Sequence, residues 1–523
     1  MTAPLLPDVD VMRDARPTGW ERLRDAWMQD PARLRLLSWL APTLIVLLAA
    51  VLRIVGLGHP HTLVFDETYY VKDAWSLWTQ GYEGSWRTGA NDLFAKGDTS
   101  ALQDTAAFVV HPPLGKWLIA LGIAAFGPGS SFGWRIATAL IGTLNVLVVY
   151  LIAKELTRSI TVASLAALFL AVDGLGIVLS RIGLLDGILT FFLLLGFLFL
   201  LYDRRRTMPR LQDRAFHERG DEPTLWGRVL WRRPWLLATG IALGAACAIK
   251  WSGVYVLAAA GIYVVVTDAL ARRRAGIALW PTDAAFRQGP ISFLALVPAS
   301  GVVYVASWTG WFVTNGGYDR HVTDNVLTSW FKYHSDILAF HVGLTSSHPY
   351  ASPAWQWPLL LRPTAFWVGG QDAPCFGTDH CIGTITSIPN PLIWYLGVAA
   401  AVYLLVRFVR GLIRRTPMPW SYAIPLVGLA GTYLPWLAFP ERTIFQFYTV
   451  VMAPLLILAL VLALRDIAGR PSDDRHRRQA GQRTVLVIVV LIGLLSAFWY
   501  PLWIGLPVPW WFWQAHNWML SWI

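Results

Sequence analysis

The chain has 523 residues, 55% hydrophobic and only 14% charged, with a mean hydropathy of +0.47. Soluble domains are about a quarter charged, so this composition excludes a soluble globular protein and points to a polytopic membrane protein. The net charge of +11 does not mark a nucleic-acid binder. No basic stripe with interleaved aromatics lies in a polar stretch, and Lys/Arg enrichment of cytosolic loops accounts for the excess.

Residues 1–36 carry six Arg against six Asp or Glu and lack the apolar core and cleavage site of a secretory signal, which predicts a cytosolic amino-terminal tail. The apolar run 37–57 is the first span, with Arg53 placed to snorkel near its exit end. Residues 58–131, with four Lys or Arg against seven acids, read as a first outer loop. Two interfacial helices are expected in it. One follows Val64-Phe65-Asp66-Glu67-Thr68-Tyr69-Tyr70. The other opens at His111-Pro112-Pro113-Leu114-Gly115-Lys116 and is too short for a span of about 20 residues.

Spans follow over 134–155, 161–180 and 184–202, then a cytosolic segment, 203–234, with nine Arg against five acids. A hairpin over 235–250 and 253–270 returns to Arg272-Arg273-Arg274, and 291–311 exits. The second outer loop, 312–390, has three Lys or Arg against five Asp. Spans over 392–412, 421–439, 445–464 and 484–504 complete the chain, with 465–483 basic. The reading is an all-α membrane domain over 37–523 with about eleven spans, amino terminus inside and carboxyl terminus outside. No internal repeat of the kind many transporters carry is visible.

Asp66-Glu67 is the carboxylate pair around which function is sought. Either Thr68 or Asp66 is suited to cap the following helix, and both carboxylates would in any case favour its positive end. Tyr69, Tyr70, Trp75 and Trp78 give that helix an aromatic face suited to a membrane surface. Two carboxylates would then stand at the mouth of the bundle, where a proton acceptor is useful. Ionisable groups recur on the same side: Arg135, Arg181, Asp186, Lys250-Trp251 and Glu441-Arg442. Any one of them can be an anchor or a local ion pair. Four cations from separate spans suit an anionic headgroup, most simply a lipid-linked phosphate.

Cys247 lies in an apolar span and reads as a small buried hydrophobe. Cys375 and Cys381 fit a disulfide on an oxidising face, with a metal site using His380 as the rival; two thiolates and one His form an incomplete ligand set. His321, His334, His341 and His348 match no ligand spacing, and no phosphate-cradling or nucleotide motif is present. A lipid-borne donor and metal-free chemistry are therefore expected.

Phe65-Asp66-Glu67-Thr68-Tyr69-Tyr70, His111-Pro112-Pro113-Leu114-Gly115-Lys116, Gly133-Trp134-Arg135, Arg181-Ile-Gly-Leu-Leu-Asp186, Ala248-Ile-Lys250-Trp251-Ser252-Gly253 and Arg442-Thr-Ile-Phe-Gln-Phe-Tyr448 together resemble the protein O-mannosyltransferases. These are GT-C enzymes of glycosyltransferase family 39. The second outer loop is too short for the β-trefoil MIR domain of eukaryotic members, so the chain resembles a bacterial, actinobacterial-like member. The resemblance implies a polyprenyl phosphate mannose donor, Ser or Thr acceptors on exported polypeptides, the secretion machinery as a further partner, and residence in the plasma membrane. It implies Asp66 as base and Glu67 as a second acceptor-side contact or the partner of an Arg. Arg135, Lys250 and Arg442 become phosphate-side cations, and Tyr70, His111, Arg181, Asp186 and Trp251 substrate-side residues. A sister GT-C transferase with a lipid or glycan acceptor is the nearest alternative. A transporter would place its charges near mid-span.

Overall fold

A computed structural model describes residues 16–218, 224–370, 375, 377–378, 380–416 and 419–523. Among them, seven helices are long and apolar enough to cross a membrane: Pro31–Ile54, Ser131–Thr157, Leu185–Gln212, Gly253–Arg274, Trp280–Ser307, Pro391–Arg414 and Arg475–Trp503. Each coincides with an expected span. Leu185–Gln212 and Ser131–Thr157 are inner helices, with 72% and 61% of their most apolar windows buried, against 17% for Pro31–Ile54. A helix apolar all round can fill the centre of a bundle in this way.

The other four expected spans are shorter or broken helices, for local reasons. Residues 161–180 divide into Ile160–Val172 and Gly174–Val178, because the Asp173 carboxylate accepts the Gly176 N–H at 3.0 Å and starts a new helix. Arg53, expected to snorkel, is instead buried. It donates to Leu170 O (3.0 Å) and Ala171 O (2.9 Å), the carbonyls freed at this break. Residues 235–250 form Pro234–Cys247. Ala423–Tyr433 gives way to a 3-10 turn at Leu434-Pro435, and Ala453–Ala468 is preceded by the 3-10 segment Gln446–Val451, just before Pro454. Proline removes a donor and restricts its predecessor, so both breaks are written locally.

In the 58–131 loop both expected interfacial helices form, as Glu67–Gln80 and Leu114–Phe126, packed on one another. The first turns Tyr69 and Trp78 to the surface and buries Glu67, Asp73 and Leu77. Two small antiparallel sheets, not foreseen, brace the long loops. One pairs Gly84–Trp86 with Leu102–Ala106; the other orders Ala365–Gly369, Cys381–Thr386 and Val508–Pro509. Strands of two to six residues are too short to show a period-2 pattern.

Cys375 and Cys381 are joined (S–S 1.99 Å), and the His380 ring stacks on Trp510 at 5.1 Å. Cys247 is free and buried. Native protein purified without reductant is accordingly expected to resist maleimide labelling. After reduction and unfolding, the labels gained should map to Cys375 and Cys381 as well as Cys247. Labelling of Cys375 before reduction would contradict the bridge.

Candidate active site

The site starts from a tight turn, Val64-Phe65-Asp66-Glu67, closed by the Glu67 N–H donating to Val64 O at 2.9 Å. Glu67 opens the following helix and is wholly buried. Its carboxylate accepts Arg135 Nε and Nη2 at 2.8 Å each, the Val64 N–H at 3.0 Å and the Gly183 N–H at 2.7 Å. A carboxylate has about four acceptor sites, so none is left over. Neither suggested cap operates: Asp66 makes no side-chain cap bond, and the Thr68 hydroxyl donates back to Phe65 O at 2.8 Å.

Asp66 is thus the carboxylate left in the turn without an ion pair. It is half-buried, and among the described residues no cation lies within salt-bridge distance of it. Burial pushes its carboxyl up to about 6, the Asp186 charge adding to the rise, while Lys250 and a hydrogen bond from the Tyr70 hydroxyl oppose it. Tyr70 lies 6.0 Å from the His111 ring, which lies 5.5 Å from His341. Burial among Lys250, Lys116 and Arg442 holds His111 well below its ordinary value, in the neutral form.

Beside this turn lies a cleft whose polar wall includes His111, Asp186, Lys250, Trp251, His341 and Arg442. Lys250 donates to both Asp186 oxygens at 2.9 and 2.8 Å and sits 4.7 Å over the Tyr448 ring. Arg442 donates through Nε to His341 O at 3.0 Å and through Nη2 to His341 Nδ1 at 3.1 Å. Arginine has no acceptor, so His341 Nδ1 is unprotonated and Nε2 carries the hydrogen donated to Val110 O at 3.0 Å. Burial and the Arg442 charge lower His341 to about 4, consistent with that neutral tautomer. The Arg442 Nη1 group is buried with no hydrogen-bond partner among the described residues. A buried guanidinium N–H left over beside a cleft is a ready donor for an anion. Leu189 and Leu193, one and two turns beyond Asp186 on the same helix, continue the cleft as an apolar wall with Val256 and Val451.

The expected phosphate-side cations therefore divide. Lys250 and Arg442 line the cleft. Arg135 does not: it is buried, and its donors are taken by Glu67 and by the carbonyls of Leu57, Pro60 and Thr62. Arg181 likewise donates to the carbonyls of Leu52, Arg53, Val55 and Gly56, closing the end of the first span. Both tie backbone at the mouth, and Arg135 has no donor left for a phosphate. Asp186, Trp251 and His111 line the cleft, and Tyr70 stands between Asp66 and His111.

His341, weighed above only as a metal ligand, and Tyr448, named only within the Arg442 motif, also line the cleft. The available signal for His341 was helical spacing, since Trp330, Tyr333, Ile337 and His341 recur at three- and four-residue steps. A further buried cluster went unseen: Lys116 pairs with Glu83 (2.5 Å) and Asp73 (4.0 Å) and donates to His111 O at 3.0 Å. Burial pushes Asp73 up to about 7, with Glu83 adding to the rise.

The Glu67–Arg135 pair is load-carrying for the fold in a way Asp66 is not. Removing one partner of a buried pair costs about 3–5 kcal/mol. Glu67→Gln and Arg135→Ala are expected to lower the thermal midpoint of detergent-purified protein by many degrees. A wild-type midpoint in both would remove the clamp.

A bundle of apolar helices with an acidic turn and a cationic cleft gathered at one end defines a polytopic membrane transferase of the GT-C glycosyltransferase fold. The S. cerevisiae protein O-mannosyltransferase Pmt1-Pmt2 complex bound to the sugar donor has this fold, with a TM-score of 0.69 at 15% identity, covering 93% of this chain and 92% of that one. A family model described as dolichyl-phosphate-mannose-protein mannosyltransferase matches residues 125–306, and one for the C-terminal four TMM region of protein-O-mannosyltransferase matches 326–522. The chain is 33% identical to the polyprenol-phosphate-mannose–protein mannosyltransferase of Mycolicibacterium smegmatis over 509 residues, 93% of each chain. It is 34% identical to that of Mycobacterium tuberculosis over 511 residues, 93% of this chain and 92% of the relative. The chain belongs to the protein mannosyltransferase family.

Proposed function

We propose that this protein transfers mannose from a polyprenyl phosphate mannose to Ser or Thr hydroxyls of exported polypeptides, at the outer face of the plasma membrane, with inversion and without a metal. The observation that carries this reading is a carboxylate without an ion pair, Asp66, that feels the charge of Lys250, which together with Arg442 lines a cleft that runs on between apolar side chains. Phosphate leaving a β-linked mannosyl phosphate needs positive charge more than a general acid. Asp66 takes the proton of the attacking hydroxyl as the new bond forms on the opposite face of the sugar. The apolar wall suits the first isoprene units. The basic segments 203–234 and 465–483 support a cytosolic amino terminus and an extracytoplasmic carboxyl terminus. The secretion machinery is the natural source of unfolded acceptors at that face.

The test is transfer of radiolabelled mannose from polyprenyl phosphate mannose to a Ser/Thr-rich peptide by purified protein in detergent. Label appearing instead on a lipid or glycan acceptor would turn the reading to a sister enzyme of the same fold. Transfer is expected to persist in excess EDTA, because Lys250 and Arg442 supply the charge that a divalent ion would otherwise bring. Loss of activity with EDTA, restored by Mg²⁺ or Mn²⁺, would overturn the metal-free mechanism.

A further inference from the structure

In the turn that presents Asp66, Phe65 has φ +47° and Asp66 has φ −70°, ψ −7°. A positive φ at the first central position of a tight turn normally selects glycine, and it is costly for a bulky side chain. The chain nevertheless carries a phenylalanine there. Its ring meets four others edge-on: His348 at 5.9 Å, Phe366 at 5.2 Å, Phe445 at 5.6 Å and Phe447 at 5.7 Å, with interplanar angles of 80–88°. Edge-to-face contacts of this kind are favourable beyond their buried area. The cage comes from two distant parts of the chain, the 312–390 loop and the stretch after Arg442. On the other side of Asp66, Glu67 is held by Arg135 and two backbone N–H groups.

We propose that Phe65 is a positioning residue for Asp66: its caged ring holds the turn in a backbone conformation that turns the Asp66 carboxylate toward the cleft. The inference rests on the transfer reading above for its consequence, though not for its geometry. With both neighbours anchored, Asp66 keeps its place without a hydrogen-bonded cation of its own. That leaves the carboxylate free to accept a proton. The groups acting on it are Lys250, Asp186 and Tyr70, with His348 one ring away in the cage.

The discriminating variant is Phe65→Gly, which suits the turn's backbone and empties the cage. If the ring positions Asp66, this variant is expected to lose about 10- to 100-fold in kcat, the scale of a misplaced reacting group, with donor KM within about twofold of wild type. Phe65→Tyr, which retains the ring, is expected to restore most of the rate. A wild-type rate in Phe65→Gly would show that the backbone alone presents Asp66 and would overturn the proposal. An activity-independent reading comes from pH-difference infrared spectroscopy of the carboxyl stretch, with the Asp66 band assigned by its absence in Asp66→Asn. In Phe65→Gly the band is expected to titrate at lower pH as the released carboxylate gains water. An Asp66 titration unchanged in folded Phe65→Gly protein would also sink the proposal. Should wild-type protein transfer no mannose, the functional reading fails, and the infrared titration still decides the positioning role.

Discussion

Asp66→Asn is expected to abolish mannosyl transfer while leaving donor affinity close to wild type. The amide keeps the shape of the side chain but cannot take a proton, and general-base catalysis is worth about 10²- to 10⁴-fold. Donor affinity should survive because Lys250 and Arg442, the groups proposed to hold the phosphate, are untouched. The same assignment fixes a pH dependence. Burial raises the Asp66 carboxyl to about 6, so below that pH the group is protonated and cannot act as a base. The rate is expected to climb about tenfold per pH unit below 6 and to level off above it. Turnover near wild type in Asp66→Asn, measured under single-turnover conditions, would remove Asp66 from the reaction. A rate flat from pH 5 to 7 would remove it as the titrating base.

Arg442→Ala is expected to slow the chemical step by about 100- to 1,000-fold, the usual loss for one preorganised donor at a developing negative charge. It should also weaken donor binding, because the phosphate is charged before transfer as well as after. Arg442→Lys should recover only part of this, since an ammonium cannot both hold His341 and offer a second, fixed N–H. Arg135→Ala provides the contrast. It is expected to reduce folded yield and thermal midpoint, and the surviving folded molecules should retain donor affinity. Thermal melts and donor titrations on the two variants separate the roles. An Arg442→Ala protein with normal donor affinity and rate would dismiss the phosphate site. Lys250 is harder to read alone, because its removal leaves Asp186 buried without its partner.

Arg135 and Arg442 also mark where sequence reading stops. Both are cations in a motif near a span end, and nothing local distinguishes them. Their difference lies in the carbonyls of Leu57, Pro60 and Thr62, which surround one guanidinium and leave an N–H of the other unused. Backbone acceptors carry no residue identity, so a one-dimensional text cannot show which cation they saturate. Lys116 met the same fate: its partners Asp73 and Glu83 are 43 and 33 residues away, brought together only when two helices of the 58–131 loop pack. The turn at Phe65 was hidden for a related reason, since its backbone φ contradicts the preference of its own side chain.

What the amino-acid sequence determined by itself was the membrane class, the positions of the seven long apolar helices and the motifs that carry Asp66, Lys250 and Arg442. Hydropathy and charge bias act locally, over stretches about as long as the helices they specify, and so they can be read without a fold. Only the tertiary structure decided which charged groups are free. Whether an ionisable group is spent on the fold or left for chemistry depends on how many partners distant segments bring to it. For Glu67 and Arg135 that number fills every site, and for Asp66 and Arg442 it does not.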